Sequence, residues 1–291
     1  MNAPFFPEAL PDTRLVNGLS VDVEEWFQVG AFERTIDKAS WGSLESRVVA
    51  NTGMVLDLFA EAGARATFFT LGWVAERQPG LIRRIVAEGH EIASHGWDHR
   101  RVFTMTAAAF RADLARARAA LEDAGGVRVT GYRAPSFSID ARTPWAHAVL
   151  AGEGYSYSSS VAPVKHDHYG WRESPRFAWR PLADSALIEL PVSVAEVAGR
   201  RMAVGGGFFR LLPAALTDLA VRQANAAGHG AQFYFHPWEV DVDQPRVADA
   251  PLRSKLRHYS RLGAMAGKLR GLIARHRWGR VDAVAVREMR A

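Results

Sequence analysis

The sequence predicts an α/β fold organised on a parallel sheet, and three observations predict it. Short apolar segments alternate with amphipathic helical ones along the chain, the β-α repetition that sets successive strands side by side and parallel, in an open sheet or a closed barrel. The 291 residues, 48% of them hydrophobic, suffice to bury one large core. The polar residues with metal or acid-base chemistry fall at the C-terminal ends of the expected strands, where such folds gather their active sites.

The first strand follows the turn signal Asn17-Gly18 and ends in charge at Asp22, Glu24 and Glu25. Side chains two apart on a strand share a side, so Asp22 and Glu24 project together while Val21 and Val23 face the other way. Glu25 then points away and reads as a surface or ion-pair residue. Two carboxylates held together cost free energy when buried unless a cation or a catalytic task accounts for them; the plain alternative is a solvated strand end. An aromatic stretch with Trp26, Phe27, Phe32 and Trp41 leads to a helix over residues 44–62. A strand over 66–71 follows, then a helix that starts near Pro79, where proline suits the first turn, and ends at Gly89. A strand over 91–93 delivers His95, a helix over 106–124 leads to a strand over 127–132, and that strand delivers Arg133. Later strands are expected at 188–190 and 232–235, the second delivering His236. No Pro/Gly/Ser-rich linker divides the chain, so residues 1–291 read as one domain with a core over about 19–246 and a basic helical segment, 251–291, packed on it.

Composition narrows the chemistry. There is no cysteine, so disulfides and thiolate ligands drop out and any metal is held by nitrogen and oxygen. The start, Met1 to Pro7, has no basic leader, and no run of about 18 apolar residues spans a bilayer, so a cytoplasmic protein is expected. Net charge is +5, unevenly spread: residues 251–291 hold eleven Lys or Arg against Asp282 and Glu288, a net +9, which leaves the rest at −4. Leu262, Met265, Leu269, Leu272 and Ile273 recur there at helical spacing. That basic amphipathic helix either docks on the core or contacts an anionic membrane or acidic glycan. No nucleic-acid-binding motif is present.

The chemistry centres on His95 and His99. Two histidines four apart on one face of a helical turn can reach one metal ion, which a carboxylate from elsewhere completes. Spacing alone is weak evidence; Asp22 and Glu24 upstream and His236 downstream give it weight.

The segments 20–27 (Ser-Val-Asp-Val-Glu-Glu-Trp-Phe), 66–69 (Ala-Thr-Phe-Phe), Gly89 to His99, 132–137 (Tyr-Arg-Ala-Pro-Ser-Phe) and 235–239 (Phe-His-Pro-Trp-Glu) occur in this order. In that set the chain resembles the NodB-type polysaccharide deacetylases, carbohydrate esterase family 4. The likeness is strongest to the branch associated with exosortase and exopolysaccharide gene clusters. It covers about residues 19–246 and implies a distorted (β/α) barrel of the NodB-homology type with seven strands. It further implies that Glu24, His95 and His99 hold a divalent metal, most simply Zn²⁺. Asp22 would be the base, His236 the acid that protonates the departing amine, and Arg133 the group that orients Asp22 and lowers its pKa. The backbone N–H of Ser136 would face the oxyanion, with Pro135 fixing the turn. Trp26, Trp97, Pro135, Phe137 and Trp238 are candidates for substrate contact, core packing being the alternative for the tryptophans.

The implied activity is removal of N-acetyl groups from hexosamines of a polysaccharide or its lipid-linked precursor, and the place expected for it is the cytoplasm or the inner face of the membrane. An allantoinase-like amidohydrolase on the same scaffold and an inactive glycan-binding protein are the competing readings. Two departures from the family pattern stand out: Val23 separates the two acids of the first motif, and Ser158 replaces an aspartate found in some relatives, leaving the acid histidine without an evident partner. Among other residues, His90 reads as a helix-terminal cation, and His166, Asp167 and His168 as a polar loop cluster. Gly205-Gly206-Gly207 reads as a flexible loop at the pocket edge, and Asp241 and Asp243 as part of a solvated loop.

Overall fold

A computed structural model describes residues 15–165 and 169–290; the cluster at 166–168 lies outside them. The elements run β1 (Asn17–Val23), α1 (Val48–Ala62), β2 (Thr67–Thr70), α2 (Gly72–Arg77), α3 (Pro79–Ala87), β3 (Glu91–Ser94), α4 (Ala107–Gly125), β4 (Gly131–Tyr132), α5 (Ala146–Gly152) and β5 (Tyr157–Ser158). They continue with β6 (Ile188–Glu189), β7 (Val194–Val197), β8 (Arg200–Ala203), α6 (Gly207–Leu211), α7 (Ala214–Ala226), β9 (Gln232–Phe235), α8 (Leu252–Tyr259), α9 (Met265–Arg275), β10 (Trp278–Gly279) and α10 (Val281–Arg290).

Seven strands form the parallel sheet in the order β9-β1-β2-β3-β4-β5-β6, and β10 pairs with the first two residues of β1. The circle is bridged by a short contact, the Ser193 N–H donating to the Gln232 carbonyl at 2.9 Å and the Gln232 N–H donating to Ser193 Oγ at 2.8 Å. This is the distorted (β/α) barrel that the family likeness implies. Every residue of β1 is buried, as suits a strand covered on both faces. Its apolar side chains Leu19, Val21 and Val23 pack with those of α1, α3 and α4 in the principal core.

The strand expected over 127–132 shrinks to Gly131 and Tyr132, because the Glu122 carboxylate accepts the Val129 N–H at 2.9 Å and takes it out of the ladder. Gly131 is required where β4 meets β5: a Cβ there would lie 2.2 Å from the Tyr157 ring. The aromatic stretch after β1 is a packed wall, in which Trp26, Phe27, Phe32 and Trp41 cluster with Trp238 and Ala250. In the C-terminal segment the apolar stripe is buried. Met265, Leu269, Leu272 and Ile273 of α9 enter the principal core, and α9 displays Arg270 beside Glu61. Among the described residues no helix is long and apolar enough to cross a membrane.

Candidate active site

The C-terminal ends of four strands bring the predicted groups together. Asp22 and Glu24 come from β1, His95 follows β3, Arg133 follows β4 and His236 follows β9. Since β1 lies between β2 and β9, its carboxylates stand between the two-histidine loop on one side and His236 on the other.

Glu24, His95 and His99 each offer a ligand atom, all within 4.8 Å of one another. The histidines do not stand on a helical turn as their spacing suggests. They belong to a loop in which Gly96 (φ 76) and His99 (φ 60) adopt left-handed backbone, and this chain reversal turns both imidazoles inward. His95 Nδ1 donates to the Arg133 carbonyl at 2.9 Å, which leaves the Nε2 lone pair free to bind. Burial first, and the neighbouring His99, hold His95 neutral by lowering its pKa to about 4 against the pull of Asp22 and Glu24. Glu24 Oε2 lies 2.9 Å from His99 Nε2 but accepts no hydrogen bond of good geometry. Burial favours the neutral Glu24 carboxyl, yet the close approach of His99 first, and then of His236, outweighs it and depresses the pKa to about 2. A buried anionic oxygen without an aligned donor, facing two imidazoles, is a donor set that fits a divalent cation.

Beside this group, Arg133 is wholly buried and donates from Nη1 to Asp22 Oδ1 at 2.6 Å and to Ser20 Oγ at 2.8 Å. Its other donors reach Ser159, the carbonyl at 3.0 Å and Oγ at 2.9 Å. The guanidinium is therefore fixed on every side and in turn fixes the Asp22 carboxylate. Ser158, at the position that departs from some relatives, donates to Ser160 Oγ at 2.8 Å and takes no part in holding His236.

The partner of His236 is Glu239, which the sequence reading missed. Glu239 Oε2 accepts from the His236 backbone N–H at 2.9 Å and from Nδ1 at 3.0 Å, so Nε2 faces the site, 3.7 Å from Glu24 Oε1. Behind it, Arg210 Nε donates to Glu239 Oε1 at 2.7 Å, and the remaining Arg210 donors engage the carbonyls of Arg257, His258 and Ser260. Burial opposes a charged His236, but the Glu239 hydrogen bond and the nearby carboxylates prevail and raise its pKa to about 9. The signal was present: Glu239 stands three residues after His236 in a capping-box arrangement, and Arg210 closes the glycine tract. That tract is a close-packing device, not a flexible edge. A Cβ on Gly205 would lie 2.5 Å from the Tyr234 ring, and the Gly206 N–H donates to the Tyr234 carbonyl at 2.9 Å.

Ser136 is half-buried at φ 53 and is followed by Phe137 at φ 48, two successive non-glycine residues in left-handed backbone, which marks stored strain at a candidate site. The five residues expected to touch substrate are all buried. Trp26 donates to the Glu45 carbonyl at 3.0 Å inside the aromatic wall, and Trp97 lies under the Arg116 guanidinium at 3.4 Å on the α4 side; neither offers a face to a sugar. Trp238 is stacked between His236 and His258, at 5.0 and 4.2 Å, and donates to Glu24 Oε1 at 3.2 Å, so it orients the site. Pro135 packs near Gly96, and Phe137 packs on Tyr234 at 4.6 Å.

Three further expectations are corrected. His90 is no helix-terminal cation: its Nδ1 accepts the Ala66 N–H at 3.1 Å, and burial, with Arg65 nearby, lowers its pKa to about 4. Glu25 is buried and accepts from Ser46 Oγ and the Arg47 N–H, which fastens the start of α1. Asp241 is also buried, paired with Arg47 at 2.7 Å.

Residues 34–155 match the family described as polysaccharide deacetylase, and residues 159–286 match a domain of unknown function, DUF3473. A chitin deacetylase of Pestalotiopsis sp is 32% identical over 123 residues, 41% of this chain and 40% of that protein. A chitooligosaccharide deacetylase of Sinorhizobium fredii is 52% identical over 48 residues, 16% of this chain and 22% of that protein. The chain spans half or less of the length of the curated relatives it matches. A solved structure of a candidate polysaccharide deacetylase from Mycobacterium smegmatis superposes with a TM-score of 0.63 over 98% of this chain and 94% of that one, at 22% identity, and shares the fold.

Proposed function

Because the chain carries a polysaccharide deacetylase domain of the NodB type, carbohydrate esterase family 4, we propose that it is a metal-dependent hydrolase that removes acetyl groups from N-acetylated hexosamines. The substrate is a polysaccharide or its lipid-linked precursor, a choice favoured by the likeness to the exopolysaccharide-associated branch. The observation that carries this reading is the convergence of Glu24, His95 and His99 between an Arg133-held Asp22 and a Glu239-held His236. A binding protein has no use for both a fixed base and a fixed acid.

Glu24, His95 and His99 would hold a divalent ion, Zn²⁺ being the simplest fit to one carboxylate and two imidazoles, and it would supply Lewis acidity toward the amide carbonyl and toward water. Asp22, aimed by Arg133, takes a proton from the attacking water. The Ser136 backbone N–H donates to the oxygen on which negative charge develops. His236 delivers a proton from Nε2 to the amine nitrogen as the C–N bond breaks, so the products are acetate and the free amine. Its high pKa keeps that proton available at neutral pH.

Acetate release from N-acetylglucosamine oligomers tests the reading. Release should occur with the metal-loaded protein, stop with a chelator and return when Zn²⁺ is restored. No acetate from the reconstituted protein on any oligomer length, with allantoin hydrolysed instead, would replace this reading with the amidohydrolase one.

A further inference from the structure

Leu252 and Leu256 of α8 are the most exposed large hydrophobic side chains among the described residues, 72% and 59% open to solvent. Four residues apart, they share one helix face. A single exposed leucine is ordinary on a soluble protein. Here the pair sits in a strongly basic setting: residues 246–261 contain Arg246, Arg253, Lys255, Arg257 and Arg261 against the one acid Asp249. Leu211 is exposed too, next to the Arg210 whose guanidinium bonds the carbonyls at the end of α8.

The opposite face of α8 is the outer wall of the active site. His258 is buried, stacks on Trp238 at 4.2 Å and shares a 2.6 Å hydrogen bond with Gln244, which anchors the helix while its leucines face outward. The basic helix that the sequence offered for membrane contact was α9, but its apolar stripe is spent on the core. In α8 the apolar pair is open and the surrounding charge is positive. Apolar side chains that enter the interface, ringed by cations that meet acidic headgroups, are the chemistry of a helix lying on an anionic bilayer.

We propose that α8 is a docking surface for an anionic lipid membrane, with Leu252 and Leu256 entering the headgroup boundary and Arg253 and Lys255 meeting lipid charge. The proposal goes beyond the deacetylase reading and does not depend on it. Docked this way, the wall built by Trp238 and His236 stands beside the bilayer, where a saccharide on a lipid carrier would be presented.

Sedimentation of the full chain with vesicles tests it. The protein should pellet with phosphatidylglycerol/phosphatidylcholine vesicles at low salt, remain in solution with pure phosphatidylcholine, and be released by salt as screening shortens the attraction. The double variant Arg253→Gln/Lys255→Gln should lose binding by roughly thirtyfold, the fold-change for two cations at ~1 kcal/mol each near an anionic surface, where about 1.4 kcal/mol is tenfold. Leu252→Ser/Leu256→Ser should lose binding as well, although it removes no charge. Both variants should keep the wild-type melting temperature and acetate release from soluble oligomers. Absence of wild-type binding to the anionic vesicles would overturn the proposal, as would binding that neither double variant weakens. Retention on an acidic polysaccharide resin without vesicle binding would likewise overturn it, in favour of a glycan surface.

Discussion

At the scale of single residues, the candidate site consists of side chains each held by a second one: Asp22 by Arg133, His95 by the Arg133 carbonyl, His236 by Glu239, and Glu239 by Arg210. Glu239→Gln keeps the shape but removes the anion beside Nδ1, so kcat on amide substrates should fall roughly 10–100-fold, the scale of losing an outer partner of a working histidine. KM and metal content should stay near wild type, and unchanged kcat would show that Glu239 is only a structural cap. A second residue sets a pH dependence remote from the chemistry. Glu91 is raised from 4.5 to about 8, by burial first and then by the Asp282 charge, against the hydrogen bonds from Thr67, Tyr157 and the Asp282 N–H. The folded protein therefore binds this proton more tightly than the unfolded chain, and stability should decline as pH rises from about 4.5 to about 8. Glu91→Gln should flatten that decline in thermal melts; an identical slope in the variant would show that Glu91 does not set it.

At the scale of elements, α2 is the brace of the two-histidine loop. The N–H groups of Gly72 and Trp73 donate to the carbonyls of Gly96 and Trp97, each at 2.9 Å, so the start of this short helix pins the loop between His95 and His99. The fit is tight: a Cβ on Gly72 would lie 2.6 Å from the Trp97 ring and 2.8 Å from the Ala117 backbone. Gly72→Ala should cost about 1–3 kcal/mol of stability as an overpacking change and weaken metal retention by moving the loop. A variant with unaltered melting and unaltered metal affinity would show that the brace is not needed. Elements with strong patterns were legible in the sequence, among them β1, the helices that became α1, α3 and α4, and β9. The elements that were not legible lack periodicity or depend on partners far along the chain: α2 is six residues long, and β10 has two residues that form a strand only because β1 is there to pair with. The site was legible wherever a residue type announces its chemistry, as with Asp22, Glu24, His95, His99 and His236. Arg210 was not, because its buried ion pair with Glu239 spans 29 residues of sequence and leaves no local spacing to read, whereas Glu239 left the short signal of a capping box with His236.

At the scale of the whole molecule, the site is assembled from three stretches of the chain. Residues 34–155, the part that matches polysaccharide deacetylases, hold His95, His99 and Arg133, whereas residues 159–286, the part that matches a domain of unknown function, hold Arg210, His236 and Glu239. Asp22 and Glu24 precede both, on the strand that pairs with β2 on one side and β9 on the other. The barrel thus joins, across β1, the half that carries His95 and His99 and the half that carries His236 and Glu239, and neither half alone brings the convergent groups together. The positive charge of the C-terminal segment lies outside this assembly: α9 spends its apolar side on the core, and α8 presents cations and leucines at the rim. The proposed activity requires one ion held by one carboxylate and two imidazoles, with base and acid standing apart from it. Metal content per chain, measured after dialysis against trace Zn²⁺ alongside acetate release, tests this most directly. Wild type and Asp22→Asn should each retain one equivalent, with turnover in Asp22→Asn reduced by roughly 10²–10⁴-fold, whereas Glu24→Ala, His95→Ala and His99→Ala should lose both metal and turnover. Full metal occupancy in those three variants, or undiminished acetate release from metal-free protein, would contradict it.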